Sequence, residues 1–378
     1  MKQTHVLIIA GTMEVGGIEN QLMNLLRGAD RSCFRIDFTT TAAHPFYEDE
    51  ILSLGGKCIH IPPTDGRHFL RYCKAIYRVM KDGNYDIVHS NELFHSGMVL
   101  LTARLAGVKH RFVHAHSSNQ EYGRSLIRRL YHRAMRRLIL KNATCFLACS
   151  SLAGMFLYGE KLTGQANYHV VFNTVDTQRF LPESGNTRTR PADGSKTILQ
   201  VGRFSDEKNF LHSVRVAVAC RDRGDPFRFV FVGNNGNDYE TLVRREIHAN
   251  HLEDIVYLLG LRQDVNELMR QADVFLLPSK YEGMPLTLIE AQAACLPCVV
   301  ADSFSHEADF GLNAVSWLPP DASAEAWADA LEQAVRRTKP ARSAVIAAIE
   351  EKGFDSSHFV QTILNLYTAS CADASHTE

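Results

Sequence analysis

Two glutamates eight residues apart, Glu282 and Glu290, stand in a Gly/Pro loop that runs into a helix: Ser279-Lys280-Tyr281-Glu282-Gly283-Met284-Pro285-Leu286-Thr287-Leu288-Ile289-Glu290. The preceding Ala272-Asp273-Val274-Phe275-Leu276-Leu277-Pro278 reads as a short buried strand. Gly283 permits a tight turn, and Pro285 suits the first helical position, where its missing N–H is not needed. The order is therefore strand, turn, helix. A helix starting this way directs the free amides near Leu286 and Thr287 at whatever lies beyond the strand end, and a phosphate fits there. At about 100° per residue the two carboxylates are about 80° apart around a helix, so they share no face, yet both can line the mouth of one cleft. A carboxylate so close to a phosphate site repels phosphate and is suited to neutral hydroxyls, such as those of a sugar. The plain alternative is an acid at a helix N-terminus and a solvated helix glutamate.

A second segment supplies the positive charge. Val201-Gly202-Arg203-Phe204-Ser205-Asp206-Glu207-Lys208-Asn209 follows the apolar run Thr197–Val201. Arg203 and Lys208, five apart at a strand end, can clamp a diphosphate, and would favour the transition state as a leaving diphosphate gains charge. A solvated loop with an Arg–Glu pair is the alternative. In Gly16-Gly17-Ile18-Glu19-Asn20 the glycine pair lets backbone approach a ligand closely, or simply makes a tight turn. His114 and His116 alternate in Arg111-Phe112-Val113-His114-Ala115-His116, so they share one side of an extended segment. No third metal ligand stands nearby in sequence.

These residues need a scaffold that brings strand ends together. Short apolar runs alternate with amphipathic stretches throughout, the pattern of parallel α/β sheets. The strands are expected near 5–10, 35–40, 57–61, 86–89, 111–115, 144–149 and 169–172, then near 197–201, 228–232, 255–258, 273–277 and 297–301. In such sheets ligands bind beyond the carboxyl ends of the strands. A chain of 378 residues is too long for one ordinary core, and 45% hydrophobic with 22% charged residues and a mean hydropathy of −0.15 is a globular composition. No apolar run reaches the ~18 residues of a membrane span, and Val6-Leu7-Ile8-Ile9-Ala10 reads as a first strand rather than a signal peptide. The nine cysteines are read as lacking a Cys-x-x-Cys pair and any metal-type Cys/His spacing, and as reduced core residues of a cytoplasmic protein.

Charge is unevenly spread. Residues 1–180 hold 22 Lys and Arg against 14 Asp and Glu, a balance of +8, and the remainder holds 19 against 28, a balance of −9. Only the first half is suited to an anionic surface. Within it, Arg124–Lys141 is basic and amphipathic at helical spacing, with Leu126, Leu130 and Ala134 on one face and Arg129, Arg133, Arg136 and Arg137 on another. Such a helix could rest on anionic lipid headgroups or be only a solvated basic face. No aromatic interleaving supports nucleic acid.

The Glu-x7-Glu signature with its continuation Ala291-Gln292-Ala293-Ala294-Cys295-Leu296-Pro297-Cys298-Val299-Val300 resembles the retaining glycosyltransferases of family 4, in the bacterial capsular and exopolysaccharide branch. Cys295 stands where that branch usually has Gly, which is expected to change packing only. Arg203 and Lys208 match the Arg and Lys of the family's Gly-Arg-Leu…Lys-Gly pattern, with Asn209 in place of a frequent Gly. Gly16-Gly17-Ile18-Glu19 is similar to the family's Gly-Gly-x-Glu loop over donor phosphates and acceptor. Asn173-Thr174-Val175-Asp176…Phe180 is similar to its Asn-Gly-Val-Asp…Phe segment, with Thr174 replacing Gly. The resemblance covers nearly the whole chain, most specifically over 197–302.

The resemblance implies the α/β GT-B fold, two doubly wound Rossmann-like domains facing an interdomain cleft. The first, acceptor-side domain is expected at 1–182, a linker at the breaker-rich 183–195, and the nucleotide-sugar domain at 196–355. A C-terminal helix at 356–370 would cross back to the first domain, leaving a frayed tail at 371–378. The implied activity is transfer of a hexosyl group from a nucleoside diphosphate sugar, with uridine as the base, to a saccharide hydroxyl on a lipid-linked acceptor in surface polysaccharide synthesis. Arg203, Lys208, Gly17, Leu286 and Thr287 would hold the diphosphate. Gly283, Met284 and Pro285 would meet the donor sugar, Glu290 the ribose, and Leu261 and Arg262 the base. Glu282 and His116 would act on the donor sugar, with Gly16, Glu19 and His114 on the acceptor side; which histidine carries the role stays open. No metal and no further cofactor are implied, because Arg and Lys supply the charge. A glycoside hydrolase gives the diphosphate clamp no purpose. A GT-B epimerase or phosphorylase and a non-catalytic nucleotide-sugar-binding subunit are the remaining alternatives.

Overall fold

The computed structural model describes residues 3–14, 16–63, 69–118, 125–162, 164–182, 191–233 and 236–373. The chain forms two compact units, Met1–Asn173 with Ser356–Glu378, and Thr174–Asp355. Each is built on one all-parallel sheet. Residues 183–190 of the breaker-rich stretch, Arg124 and the tail after Asp373 lie outside the described residues. The units divide between Asn173 and Thr174; in the second, Val175 forms a parallel bridge with Asp355, and the Thr177 hydroxyl donates to Asp355 Oδ2 at 3.2 Å.

In the first unit the strands are β1 (Thr4–Ile9), β2 (Phe34–Thr40), β3 (Cys58–His60), β4 (Ile87–Ser90), β5 (His110–Ala115), β6 (Cys145–Ala148) and β7 (Tyr168–Val170), in the order β3-β2-β1-β4-β5-β6-β7. Both faces are covered, which is why most of the strands read as apolar runs. Alternation along β1 shows it. Val6 and Ile8 enter one cluster with Leu22, Phe359, Ile363 and Tyr367, whereas Leu7 and Ile9 enter another with Tyr72, Ile76 and Met80. Phe359, Ile363 and Tyr367 recur every four residues on one face of the helix Ser356–Asp373, which packs within this unit.

The second unit holds β8 (Lys196–Val201), β9 (Phe227–Val232), β10 (Val256–Leu258), β11 (Val274–Leu277), β12 (Cys298–Ala301) and β13 (Val315–Leu318), ordered β10-β9-β8-β11-β12-β13. Its core gathers Phe229, Phe231, Leu276 and Trp327, each fully or almost fully buried. Twelve of these thirteen strands fall at positions legible from apolar runs; β13 does not, because Val315-Ser316-Trp317-Leu318 is an edge strand only partly buried. In each sheet the strand order turns back at the first strand, between β1 and β4 and between β8 and β11. The loops that leave the carboxyl ends of such a pair diverge and leave a crevice.

Candidate functional site

The second unit concentrates the residues selected from sequence at the β8/β11 crevice. The loop after β8 carries Arg203 and Lys208, and the loop after β11 carries Glu282 and leads into the helix Leu286–Ala293. Backbone ties hold the loops together: Lys280 N donates to Glu207 O at 2.8 Å, and Asn209 Nδ2 donates to Pro278 O at 3.1 Å. Side chains add to them. Lys208 Nζ donates to Glu282 Oε1 at 2.5 Å, with the two side chains 14% and 12% exposed, and Lys280 pairs with Asp206 at 2.6 Å. Asn209 adopts the left-handed conformation, φ 56°, which asparagine tolerates better than most residues and which explains how it replaces glycine here.

Arg203 behaves differently from Lys208. Its side chain is 72% exposed and pairs with Glu207 at 3.0 Å, the solvated Arg–Glu pair that the sequence left as an alternative. Lys208 is thus the cation built into this crevice, with Arg203 at its rim.

The helix Leu286–Ala293 starts one residue later than expected, with Pro285 as the N-cap; Pro285 O accepts from Leu288 N and Ile289 N. The amides of Leu286 and Thr287 donate to no protein acceptor among the described residues, and Thr287 Oγ1 is buried without a partner. This is the donor-rich end that binds anions. Gly283 is buried but not left-handed, so the turn does not depend on a positive φ there. Met284 and Pro285 are buried with it.

Glu290 is one turn into that helix. Its carboxylate makes no hydrogen bond or ion pair among the described residues, and burial pushes it up to about 7, with the charges of Arg179 and Lys208 opposing the rise. Arg179 was not selected from sequence. It lies in the short helix Thr177–Phe180 and reaches Gln263 O at 2.6 Å. At the end of β10, Leu261 is 75% exposed and Arg262 pairs with Asp264 at 2.6 Å. The ends of β8, β9 and β10 approach closely. Gly233 N donates to Gly260 O at 2.9 Å, and at φ 139° a Cβ on Gly233 would collide with Gly202 O.

Two residues depart from expectation. Cys295 is not merely a packing substitution: its φ is 55°, and Cys295 N donates to Gln292 O while Leu296 N donates to Ala291 O. That is a Schellman helix end with a non-glycine residue in its left-handed position. Cys295 and Cys298 also form a Cys-x-x-Cys pair, a correction to the reading that the cysteines hold none. Both are free and buried, and burial raises both thiols, so neither is an activated thiolate. Thr174, which also replaces a family glycine, is buried with φ outside the left-handed region and so needs no glycine.

The first unit holds the histidines. His114 is in β5 and 1% exposed, its ring between those of His89 and His116, with centroids 5.5 and 4.0 Å away. It packs against His116 from the core side. His89, from β4, was missed in sequence because a lone histidine in an apolar run carries no signal; its Nδ1 is 2.6 Å from Tyr367 Oη. His116 Nε2 is 2.9 Å from Asn91 Oδ1, with Asn173 as a second polar neighbour. Burial lowers all three, His116 to about 4 and His89 to about 3, so all are neutral imidazoles at pH 7. Beside Asn91, Glu92 accepts from Tyr72 Oη at 2.6 Å, and burial pushes its carboxyl up to about 7. Gly16 is the N-cap of the helix Gly17–Gly28 at φ −159°, an extended conformation open to any residue, and Glu19 lies in its first turn.

Comparison with known proteins decides the family. Residues 186–351 match the model of glycosyl transferases group 1, and residues 15–179 that of glycosyltransferase family 4. The glycosyltransferase EpsF of Bacillus subtilis is 34% identical over 97% of each chain. The chain belongs to the group 1 glycosyltransferases. CapH of Staphylococcus aureus, a capsular polysaccharide biosynthesis glycosyltransferase, is 26% identical over 76% of this chain and 78% of its own. Anabaena HepE, solved with UDP-glucose, superposes with a TM-score of 0.76 at 17% identity, covering 97% of this chain and all of that one. The two parallel-sheet units have the GT-B architecture of these glycosyltransferases.

Proposed function

We propose that this glycosyltransferase moves a hexosyl group from UDP-sugar to a hydroxyl of a lipid-linked saccharide in surface polysaccharide synthesis, with retention at the anomeric carbon and without a metal. The observation that carries the reading is the arrangement at the β8/β11 crevice: a built-in lysine, an uncommitted helix N-terminus, and two glutamates on the same loop–helix segment. Lys208 and the amides of Leu286 and Thr287 hold the diphosphate, Arg203 closing on it from the rim. These cations and dipoles stabilise charge that grows on the leaving phosphate, a role a metal would otherwise supply. Glu290, lacking a protein partner, receives the ribose hydroxyls, and Glu282 binds sugar hydroxyls and favours an oxocarbenium-like state. The exposed backbone after β10 at Leu261 and Arg262 meets the base. Neutral His116 offers the donor sugar a hydrogen bond without adding charge, and the leaving phosphate takes the acceptor proton.

UDP is favoured because HepE is solved with UDP and UDP-glucose. The lipid-linked acceptor is favoured because a 27%-identical Escherichia coli relative, matched over 60% of each chain, is a UDP-Gal:α-D-GlcNAc-diphosphoundecaprenol α-1,3-galactosyltransferase. The helix Leu126–Asn142 supports a membrane-facing first unit. Met135 and Ile139 are its buried face, whereas Leu126, Ile127 and Leu130 are 70%, 81% and 56% exposed beside the exposed Arg129 and Arg133. This apolar-and-basic surface fits an interface with anionic headgroups. Among the described residues no helix is long and apolar enough to cross a membrane. The test is NMR of the product formed from an α-linked UDP-sugar and a diphospholipid-linked acceptor in EDTA. An α-glycoside is expected; a β-glycoside would overturn retention, and activity only after adding a divalent cation would overturn metal independence.

A further inference from the structure

We propose that Glu48, Cys58 and His60 form a zinc-binding site at the edge of the first unit's sheet, separate from the nucleotide-sugar residues. Cys58 and His60 alternate along β3 and so share one side of the strand, and Glu48 opens the short helix Glu48–Ser53 that leads to it. One donor atom from each of the three lies within 4.8 Å of the other two. His60 is held from both sides: its Nδ1 lies 3.0 Å from Ala42 O and its Nε2 2.8 Å from Glu48 Oε1. Without metal a proton joins Nε2 and Oε1 as an ion pair, and a zinc ion would take that proton's place. A backbone carbonyl on the other ring nitrogen is how protein zinc sites orient their histidines.

The donor set selects the metal. Thiolate, imidazole and carboxylate together suit Zn2+, and its usual bond lengths put tetrahedral ligand atoms about 3.2–3.8 Å apart. Glu48 and His60 therefore separate slightly on binding while Cys58 closes in. His60 is 46% and Glu48 30% exposed, so water takes the fourth position. Binding displaces the Cys58 thiol proton and the proton between His60 and Glu48 to solvent, and Zn2+ with one thiolate, one carboxylate and a neutral imidazole is then electrically balanced. Neighbouring Glu50 is committed elsewhere, pairing with Arg27 at 2.7 Å. Bound metal would tie the segment after β2 to the end of β3 through Glu48 and the Ala42 carbonyl.

The experiment titrates Co2+ into the full-length, chelator-treated protein and follows its absorption. One equivalent should produce a thiolate-to-cobalt charge-transfer band with tetrahedral d–d bands, and added Zn2+ should abolish both. Cys58→Ser should remove the charge-transfer band, and His60→Ala should weaken binding by at least tenfold, each with an unchanged far-ultraviolet circular dichroism spectrum. The proposal is overturned if the wild-type protein shows no thiolate band, if the band survives Cys58→Ser, or if His60→Ala binds as tightly as wild type. None of these readouts depends on transferase activity.

Discussion

Lys208 Nζ and Glu282 Oε1 are 2.5 Å apart although they come from loops after different strands, β8 and β11. The ion pair is mostly buried, so each charge compensates the other, and removing one partner leaves the other uncompensated. It also means that, before any donor binds, the carboxylate assigned to the sugar occupies the cation assigned to the diphosphate. The two substitutions should therefore act in opposite directions on nucleotide binding. Glu282→Gln should keep or strengthen UDP binding, by freeing Lys208, while abolishing sugar transfer. Lys208→Ala should weaken UDP binding and lower kcat/KM by about 10²–10³-fold. Calorimetry on both variants checks this; an equal loss of UDP affinity in Glu282→Gln would remove the coupling.

Glu290 gives a pH prediction. Its carboxyl is raised in the folded chain to about 7 from the ordinary 4.5. The folded state thus holds a proton that the unfolded state has already released, so stability is full below about 4.5 and declines as pH rises through 7. Glu290→Gln should be close to neutral at pH 4.5 and stabilising by about 1–2 kcal/mol at pH 8, while raising the KM for donor by loss of the ribose contact. Urea unfolding at the two pH values reads the first effect; an equal ΔΔG at both would show that the carboxyl is not protonated in the fold.

Cys295 carries a backbone cost. A residue with a side chain at φ 55° in a Schellman helix end is disfavoured by about 1 kcal/mol relative to glycine. Cys295→Gly should raise the urea midpoint by an amount equal to roughly 0.5–1 kcal/mol with an unchanged slope, and leave transfer intact. A lower midpoint would mean that the buried thiol's packing outweighs the backbone strain.

The exposed Leu126, Ile127 and Leu130 on a basic helix predict sedimentation with anionic vesicles, weakened by salt and absent with neutral vesicles. Leu126→Glu combined with Ile127→Glu should reduce that binding about tenfold or more. These side chains face solvent in the fold, so global stability should stay within about 0.5 kcal/mol. Equal binding to neutral vesicles would remove the electrostatic part of the account.

Much of this was legible because parallel sheets bury both faces: each strand but β13 announces itself as an apolar run, and chemistry-bearing residues sit directly after those runs. Lys208 and Glu282 could be chosen as residue types at strand ends, but not as partners, since 74 positions separate them and only the pairing of β8 with β11 brings them together. Which face of Leu126–Asn142 is exposed was not legible for a related reason. Periodicity shows that a helix has two faces but not which one finds a partner, and the buried face proved to be Met135 and Ile139. His89, Asn91 and Arg179 gave no signal because their roles arise from neighbours on other elements.

The measurement that bears most directly on the central claim is calorimetric titration of the wild-type protein and Lys208→Ala with UDP, UMP and uridine in EDTA. UDP should bind the wild type at least tenfold more tightly than UMP without any metal, and that advantage should collapse in Lys208→Ala. Equal affinity for the three ligands, or a UDP advantage untouched by Lys208→Ala, would contradict a diphosphate site at the β8/β11 crevice.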